Sequence, residues 1–454
     1  MQNSGMHRPD RSEGDVNLSD ARAAWQRDYI DAETRALLDD DARWFLHQAL
    51  STPCLNVVER AEGIYLIDAA GRRIMDFHGN TVHQVGYGHP RVIEAVTRQL
   101  ATLPFSPRRY TNRAAIELAR RLAELAPGRL NKLLFAPSGT AAIGMALKLA
   151  RHVTGRHKTL SMWDAFHCAS LDAISVGGEA MFRRDAGPLL PGTEHVPPPA
   201  LAARFFGDDG HAHERLADYI DYVLEMQGDV GAVIAEPVRW TTLDVPPEGF
   251  WPRVRASCDR HGALLIFDEI PSCLGRTGTM FACEQMGCVP DMLVLGKGLG
   301  GGVFPMAALI AREDLDVAAD RALGHYTHEK SSIGCAAALA TLDVICDEAL
   351  LERLRELGAY GLARLQRMRT EHAAIRSVRG LGVSFGVDVA STMLAEALRY
   401  RCLAGGLSFK VGGGTVLTLC PPLTITRGGL DAAFDVLGAA FSYETTVDAV
   451  EPTE

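Results

Sequence analysis

The 454-residue sequence lacks the features that would place it in a membrane, outside the cell, or on nucleic acid. No apolar run reaches the ~18 residues that a membrane helix requires, and the polar, acid-containing N-terminus has no apolar core like that of a signal peptide. The closest cysteine pair, Cys283 and Cys288, matches no strong zinc pattern. The net charge of -10 argues against nucleic acid and anionic membranes. We therefore expect a cytoplasmic protein with reduced thiols and no metal.

The composition is that of an ordinary globular protein, with 47% hydrophobic and 22% charged residues. The length allows one large domain and a smaller one. The order of the patterns predicts a flexible leader, an N-terminal segment that contributes to a small domain, a large cofactor-binding domain, a C-terminal small domain and a tail. The predicted bounds are 1–20 for the leader, 21–90 for the N-terminal segment, 91–335 for the large domain, 336–445 for the C-terminal small domain and 446–454 for the tail.

Short apolar runs alternate with helical stretches through the middle of the chain. Continuous apolar runs are typical of parallel strands that are buried on both faces. We predict a doubly wound α/β domain with a mostly parallel sheet and a site at the carboxyl ends of its strands. A hairpin within 63–72 and a strand at 383–387 are expected in the smaller α+β domain. The apolar runs are Leu133–Phe135, Thr159–Met162, Ala232–Ala235, Leu264–Phe267 and Met292–Leu295.

Two ionisable residues follow apolar runs in a way that indicates one cofactor. Asp268 ends the run Leu264–Phe267, and Lys297 follows Met292–Leu295 within a glycine-rich stretch. Pyridoxal phosphate (PLP) requires a lysine for its aldehyde and an acid for its pyridine nitrogen. A lone lysine among glycines also fits a surface turn, so this interpretation depends on the other motifs.

Three further motifs follow predicted strands. Ser138-Gly139-Thr140 opens a helix, where backbone N–H groups and the helix dipole favour an anion such as phosphate; an ordinary N-cap serine is the alternative. Phe166, followed by His167, could stack on a heteroaromatic ring, or be a core residue. Glu236 would point into the crevice, or cap a helix or form a salt bridge.

These motifs and their order resemble the class III aminotransferases, from about Leu55 to Leu437. The stretches that carry the resemblance are Leu264–Gly278, Pro290-Asp291, Lys297–Gly302 and Pro421–Thr426. The resemblance implies the PLP-dependent transferase fold of type I. It also implies a homodimer with its active site at the subunit interface, acting on a small amine.

The resemblance assigns a role to each matching position. Lys297 would form the Schiff base with PLP and then serve as the proton-transfer base, and Asp268 would pair with the ring nitrogen and keep it protonated. Ser138, Gly139 and Thr140 would hold the phosphate. The remaining cofactor contacts would come from Phe166 by ring stacking, from His167, Glu236 and Ile270, and from Thr327, which would reach the phosphate from the partner subunit.

The departures from the family pattern bear on the reaction. Members that handle α-amino acids often carry an arginine three residues before the Pro-Pro pair to grip the α-carboxylate, and here that position is Thr418. A threonine cannot replace a guanidinium. The Gln-Gly pair of the family's Glu-Pro-Val-Gln-Gly stretch is Arg239-Trp240 here. Other members place a movable arginine further upstream, and the nearest candidate here is Lys410. The departures therefore do not predict recognition of a keto acid acceptor, and a lyase needs no such acceptor.

Four stretches resemble a branch of the family that consists of ammonia-lyases. That branch acts on (R)-1-hydroxy-2-aminoethylphosphonate and releases ammonia and phosphonoacetaldehyde, with the hydroxyl as the β-leaving group. The resemblance predicts this phosphonate-degrading reaction for the chain. The stretches are Met75–Asn80, Ile174–Glu179, Leu189–His195 and His325–Lys330.

A phosphonate substrate needs cationic partners. Arg108 and Arg109 rank first, because arginine binds such groups bidentately. Lys410, Arg239 and Lys330 are further candidates, and each of the five could instead be a solvated surface charge.

Two other functions stay open from the sequence. An ω-aminotransferase that uses pyruvate or 2-oxoglutarate would stall after one conversion until the acceptor is added. A ligand sensor in a transcription regulator would need a DNA-binding domain, and the acidic stretch of ~40 residues at the N-terminus does not resemble one.

Overall fold

The computed structural model describes residues 17–448. The predicted leader over 1–20 and tail over 446–454 therefore lie mostly outside the described residues. The first described helix begins at Asp20, and the Ser19 side chain caps it by accepting the Arg22 backbone N–H. Contacts divide the chain into two compact units, of which the large one comprises 80–240 and 244–356.

The large unit contains nine complete helices and seven strands among its described residues, with both kinds numbered in chain order along the whole chain. The helices are α3 (Pro90–Thr102), α4 (Arg113–Leu125), α5 (Gly139–Thr154), α6 (Leu171–Val176), α7 (Ala180–Arg183), α8 (Ala202–Phe206), α9 (Ala212–Gln227), α10 (Phe250–His261) and α11 (Ser332–Asp347). The strands are β4 (Leu130–Ala136), β5 (Lys158–Met162), β6 (Thr193–Val196), β7 (Val230–Ala235), β8 (Leu264–Asp268), β9 (Met292–Leu295) and β10 (Ala307–Arg312).

The seven strands form one mixed sheet in the order β4-β10-β9-β8-β7-β5-β6. The neighbours from β6 to β9 are parallel, whereas β10 is antiparallel to both β9 and β4. β4 therefore runs in the same direction as β5 to β9, and the carboxyl ends of these strands meet at one edge. The predicted α/β fold with a mostly parallel sheet is confirmed, and each of the five apolar runs forms a strand.

The core of the large unit explains why these runs read as continuous apolar stretches. Every residue of β7, β8 and β9 is buried, because helices cover the sheet. Helix α5 packs on β4, β7, β8, β9 and β10, and its inward side is built from small and medium apolar residues such as Ala142 and Ala146. This packing fixes the N-terminus of α5 beside the carboxyl ends of the strands.

The boundaries of the large unit differ from the predicted segment 91–335. The unit begins at Asn80 and ends at Glu356. Helix α11 was expected in the C-terminal small domain, but it packs against α3 and α4. A helical pattern shows that a helix has an apolar face and does not show which neighbour covers that face.

The small unit comprises 17–79, 241–243 and 357–448 of the described chain. Its helices are α1 (Asp20–Tyr29), α2 (Ala32–Trp44), α13 (Thr392–Ala404) and α14 (Arg427–Asp448), together with most of α12 (Leu350–Glu371), which begins in the large unit. Its strands are β1 (Val58–Glu62), β2 (Tyr65–Asp68), β3 (Arg73–Asp76), β11 (Ile375–Leu381), β12 (Ser384–Val389), β13 (Leu407–Ser408), β14 (Lys410–Gly412) and β15 (Val416–Leu419).

Two four-stranded sheets organise the small unit. One has the order β1-β2-β3-β13, with β13 parallel to β3, and the other is antiparallel with the order β11-β12-β15-β14. The predicted hairpin is β2-β3, which turns at Gly71 with a φ of 78°. The predicted strand at 383–387 is β12. The α+β character of the smaller domain is therefore confirmed.

Within residues 17–448, no helix is both long and apolar enough to cross a membrane. The ten cysteines are all free thiols.

Candidate functional site

The carboxyl edge of the large sheet collects most of the predicted site residues. Six strands end there, and five of them end in, or are followed by, a residue that the sequence singled out. Parallel strands present these positions side by side, in the crevice where ligands of doubly wound folds bind. The residues are Ser138 after β4, Phe166 and His167 after β5, Glu236 after β7, Asp268 at the end of β8, and Lys297 after β9.

Lys297 begins a short 3-10 turn directly after β9 and has a φ of 46°, in the left-handed region that non-glycine residues rarely adopt. The turn is tightly packed, because a Cβ added at Gly298 would lie 1.6 Å from the side-chain amide of Gln84. Lys297 is half-buried, and both of its neighbours are buried. The alternative of a surface turn is therefore wrong, and strain of this kind is typical of functional sites.

Asp268 is a buried carboxylate with a fixed orientation. Its Oδ2 lies 2.8 Å from His167 Nδ1, and its Oδ1 accepts the Ile270 backbone N–H at 3.1 Å. Asp268 is 2% exposed and His167 is fully buried. Among the described residues, no group hydrogen-bonds to His167 Nε2. These two contacts fix the orientation of the Asp268 carboxylate.

The start of α5 is closely packed against the segment that follows β8. Ser138 caps the helix by accepting the Ala141 N–H at 3.3 Å. Ser138 is therefore an N-cap residue, as the alternative interpretation of the sequence expected. The first N–H groups of a helix have no intrahelical partner and favour an anion. A Cβ added at Gly139 would lie 2.7 Å from Ile270 Cδ1 and 3.2 Å from Cys168 Sγ. A side chain at position 139 would therefore require Ile270 to move.

Glu236 holds the segment that carries Phe166. Its Oε1 accepts the Phe166 backbone N–H at 3.1 Å, and its Oε2 accepts the Trp240 backbone N–H at 3.2 Å. Arg239 Nη1 donates to Glu236 Oε1 at 2.7 Å, and Arg239 Nη2 contacts Glu179 Oε1. Glu236 therefore forms the salt bridge that the sequence left open as an alternative. The Phe166 ring lies against the Phe182 ring, with 4.6 Å between the ring centroids.

A third carboxylate completes this network around Arg239. Asp164 Oδ2 lies 3.7 Å from Arg239 Nε. Burial raises the pKa of Asp164 to about 6, while the Arg239 charge opposes the rise and the Glu236 charge adds to it. Arg239 was a candidate for binding an anionic substrate, but its donors already face Glu179, Glu236 and Asp164. We therefore do not assign it that role.

The remaining residues of the large unit lie on two exposed segments. Thr327 is exposed in the segment before α11, and Arg108 and Arg109 are exposed in the segment before α4. Both terminal nitrogens of the Arg108 guanidinium contact the His325 ring, at 2.5 and 2.7 Å. These residues are thus close to one another in the fold, and they do not follow the sheet strands that carry Lys297 and Asp268.

Lys410 and Thr418 belong to the small unit. They face each other across the antiparallel pair β14-β15. Thr418 is 3% exposed, and its hydroxyl donates to the Thr241 carbonyl at 2.7 Å. The threonine that replaces the expected arginine is therefore a buried residue whose hydroxyl is satisfied within its own unit.

The family model for aminotransferase class-III matches residues 47–441. The chain belongs to this family. The sequence is 49% identical, over 95% of each chain, to the (R)-1-hydroxy-2-aminoethylphosphonate ammonia-lyase of Vibrio splendidus. Its structure is similar to an (S)-enantioselective ω-transaminase from Thermomicrobium roseum, with a TM-score of 0.84, 29% identity, and coverage of 90% of this chain and 98% of that one. The ω-transaminase from Pseudomonas jessenii in complex with PMP gives a TM-score of 0.84 at 26% identity, with the same coverage.

The class III family is PLP-dependent, and the residues at the sheet edge fit this cofactor. A buried acid with a fixed orientation suits a protonated ring nitrogen, and the helix start beside Gly139 suits a phosphate. Lys297, which is half-buried, follows β9 at the same edge of the sheet. His167 contacts Asp268 through its Nδ1 and thereby supports the position of this acid.

Three contributors were not predicted from the sequence. Gln84 packs against Gly298, Glu179 pairs with Arg239, and His325 contacts Arg108. Glu179 and His325 lie within stretches that resemble the ammonia-lyase branch, so that resemblance was a signal for them. Gln84 carried no signal, because its role comes only from the packing of a distant glycine.

Proposed function

We propose that the chain is a PLP-dependent ammonia-lyase that converts (R)-1-hydroxy-2-aminoethylphosphonate into phosphonoacetaldehyde and ammonia. The observation that carries this proposal is the 49% identity, over 95% of both chains, to a protein with that name. The site geometry is compatible with it, since a lysine, a fixed acid and an anion site line one edge of the sheet. A fold alone would not support a choice of reaction.

The residues of this chain would hold PLP in the following way. Ser138, Gly139 and Thr140 would bind the phosphate at the start of α5, and Thr327 would add a contact from the partner subunit. Phe166 would lie against the ring, and Ile270, which packs on Gly139, would line the pocket. His167 would hold Asp268 in position for the ring nitrogen, as the 2.8 Å contact suggests. Glu236 would keep the Phe166 segment in place.

Lys297 would bind the cofactor aldehyde and, once freed by substrate, would accept the proton from the carbon that bears the amine. PLP, when bound, supplies the electron sink that makes this proton acidic. Loss of the neighbouring hydroxyl as water, followed by addition of one water, gives the aldehyde and ammonia. The net reaction is therefore balanced without a keto acid, oxidant or reductant.

Two features favour a reaction that needs no keto acid. Thr418 replaces the arginine that would grip an α-carboxylate, and its hydroxyl is held by the Thr241 carbonyl. Arg239, the cation that departs from the family pattern, is engaged with carboxylates. Neither position offers a guanidinium to an acceptor acid.

The candidates for binding the phosphonate are Arg108 and Arg109, which are exposed in the large unit, and, separately, Lys410, which is half-buried in the small unit. We further propose a cytoplasmic homodimer with its site at the subunit interface, because Thr327 would reach the cofactor phosphate only from a partner. Sedimentation of the PLP-loaded protein tests the dimer.

The alternative is an ω-aminotransferase, which the names of the structural relatives favour. Purified PLP-loaded protein, given the phosphonate and no keto acid, discriminates the two. A lyase releases ammonia and aldehyde in equal amounts over many turnovers. An aminotransferase converts its cofactor once to the pyridoxamine form, and pyruvate or 2-oxoglutarate restores it.

Lys297→Ala should abolish turnover and the absorbance of the lysine-bound cofactor. Lys148→Ala is the matched control, because Lys148 is exposed on α5, and it should behave as the unmodified protein does. Ammonia release by Lys297→Ala at the normal rate would contradict the assignment of Lys297.

A further inference from the structure

Two segments of the large unit are tied together, the one that precedes α4 and the one that precedes α11. The Asn112 side-chain amide donates to the Lys330 carbonyl at 3.0 Å. The Ser332 hydroxyl donates to the Leu103 carbonyl at 2.6 Å. These bonds hold the two segments side by side, so that side chains from both can contribute to one surface.

This surface is basic in an acidic protein. We call it the cationic platform, and its members are Arg108, Arg109, His325, His328 and Lys330, all of which are exposed. Within the part of the chain that the structure describes, no carboxylate lies within ion-pair distance of its arginines or its lysine. Elsewhere in the large unit, exposed arginines do pair, as Arg91 does with Asp347 and Arg215 with Asp209. With a net charge of -10 for the chain, two arginines and a lysine without a carboxylate partner indicate an anionic ligand.

The contact between Arg108 and His325 has a specific chemical consequence. A guanidinium has donors only, and a neutral imidazole has one acceptor nitrogen and one N–H. Because both ring nitrogens face guanidinium nitrogens, at 2.5 and 2.7 Å, at least one of the two contacts joins two donors. An anion that accepts from both side chains would resolve this mismatch, and a phosphonate offers three acceptor oxygens.

We propose that His325 and Arg108 act together as the binding site for the phosphonate group of the substrate. The assignment of His325 rests on the proposed function and extends it. Two groups of similar chemistry could occupy this pair, namely the substrate phosphonate and the cofactor phosphate, because Thr327 lies two residues from His325. The experiment must therefore measure both.

The test uses the PLP-loaded enzyme and the variants His325→Asn, Arg108→Gln and the double variant. Three quantities are measured: the KM for the substrate, the dissociation constant of methylphosphonate by isothermal titration calorimetry, and the dissociation constant of PLP. Each single variant should raise the first two roughly ten-fold, the factor expected from one charge-assisted hydrogen bond, and leave PLP binding unchanged. The double variant should bind the substrate and methylphosphonate more weakly than either single variant does. The fold-increase in its constants should be smaller than the product of the two single fold-increases. His211→Asn, an exposed histidine of the same unit, is the control.

The outcomes separate this inference from the proposed function. Weaker PLP binding with unchanged methylphosphonate binding would assign the pair to the cofactor and overturn the proposal. Unchanged values of all three constants would also overturn it. If the wild-type enzyme released no ammonia from the phosphonate, the proposed reaction would fail. Calorimetry would still test the pair in that case: weaker methylphosphonate binding in the variants supports an anion site at His325, and unchanged binding overturns it.

Discussion

Replacing Arg239 with glutamine, the residue of the family pattern, tests the buried network behind Phe166. The Arg239 side chain is 12% exposed, and its partners Glu179 and Glu236 are 2% and 5% exposed. Asp164 Oδ2 lies 3.7 Å from its Nε, and the Asp164 side chain, at 37% exposed, is the least buried of the three acids. The substitution removes the positive charge and leaves three carboxylates close together.

The cost follows from the charges that remain. Removing one partner of a buried ion pair typically destabilises a protein by about 3–5 kcal/mol, because the other charge stays buried without compensation. Two features reduce the cost here. Glu236 keeps its two backbone N–H donors, and Asp164, with a pKa of about 6, takes up a proton readily. We therefore expect about 3 kcal/mol, a large part of the ~5–15 kcal/mol typical of folded proteins.

The assay is urea unfolding together with the dissociation constant of PLP. Arg239→Gln should lower the free energy of unfolding by about 3 kcal/mol and weaken PLP binding, since Glu236 then holds the Phe166 segment less firmly. Glu179→Gln introduced into Arg239→Gln should restore at least ~1 kcal/mol, because it removes one uncompensated carboxylate. Arg253→Gln, a half-exposed arginine near surface carboxylates, should change stability by less than ~0.5 kcal/mol.

The decisive observation is whether Glu179→Gln raises or lowers the free energy of unfolding of the Arg239→Gln variant. If Glu179→Gln destabilises the Arg239→Gln variant as much as it destabilises the wild type, the two residues do not interact and the electrostatic argument is wrong. Unchanged PLP binding in Arg239→Gln would show that Arg239 acts on stability alone.

Two further substitutions test other parts of the large unit. Gly298→Ala should abolish the absorbance of the lysine-bound cofactor, because the added Cβ would lie 1.6 Å from the Gln84 side chain. Adding Gln84→Ala to this variant should restore part of the absorbance. Full absorbance in Gly298→Ala alone would contradict this packing. Glu269→Gln should change the pH dependence of stability, since burial raises the pKa of the Glu269 carboxyl to about 7 from its ordinary value of 4.5. The protonated form is favoured in the fold, so the stability from this group is fully present below pH 4.5 and is lost as the pH rises through 7. The melting temperature of the wild type relative to Glu269→Gln should therefore fall between pH 5 and pH 8, and a constant difference would refute the assignment.

Sequence patterns identified the strands and the residues that follow them. A buried parallel strand must be apolar along its whole length, so β7, β8 and β9 stand out in the sequence without knowledge of their neighbours. The position directly after such a strand lies at the carboxyl edge by topology alone. Asp268 and Lys297 could thus be assigned to one site, and their chemical types indicated PLP.

The tertiary structure decided which partner each group meets. Nothing local to Arg239 shows that Glu179 will pair with it, and nothing near Gly298 shows that Gln84 will fill the space above it. The insertion of β10 between β4 and β9, and the packing of α11 on α3 and α4, likewise depend on elements far apart in the chain. Local periodicity fixes the conformation of a segment and the face that it must bury. The choice among the surfaces that could cover that face is made by the packing of the whole unit, where close-packed shapes and paired charges leave one arrangement of lowest free energy.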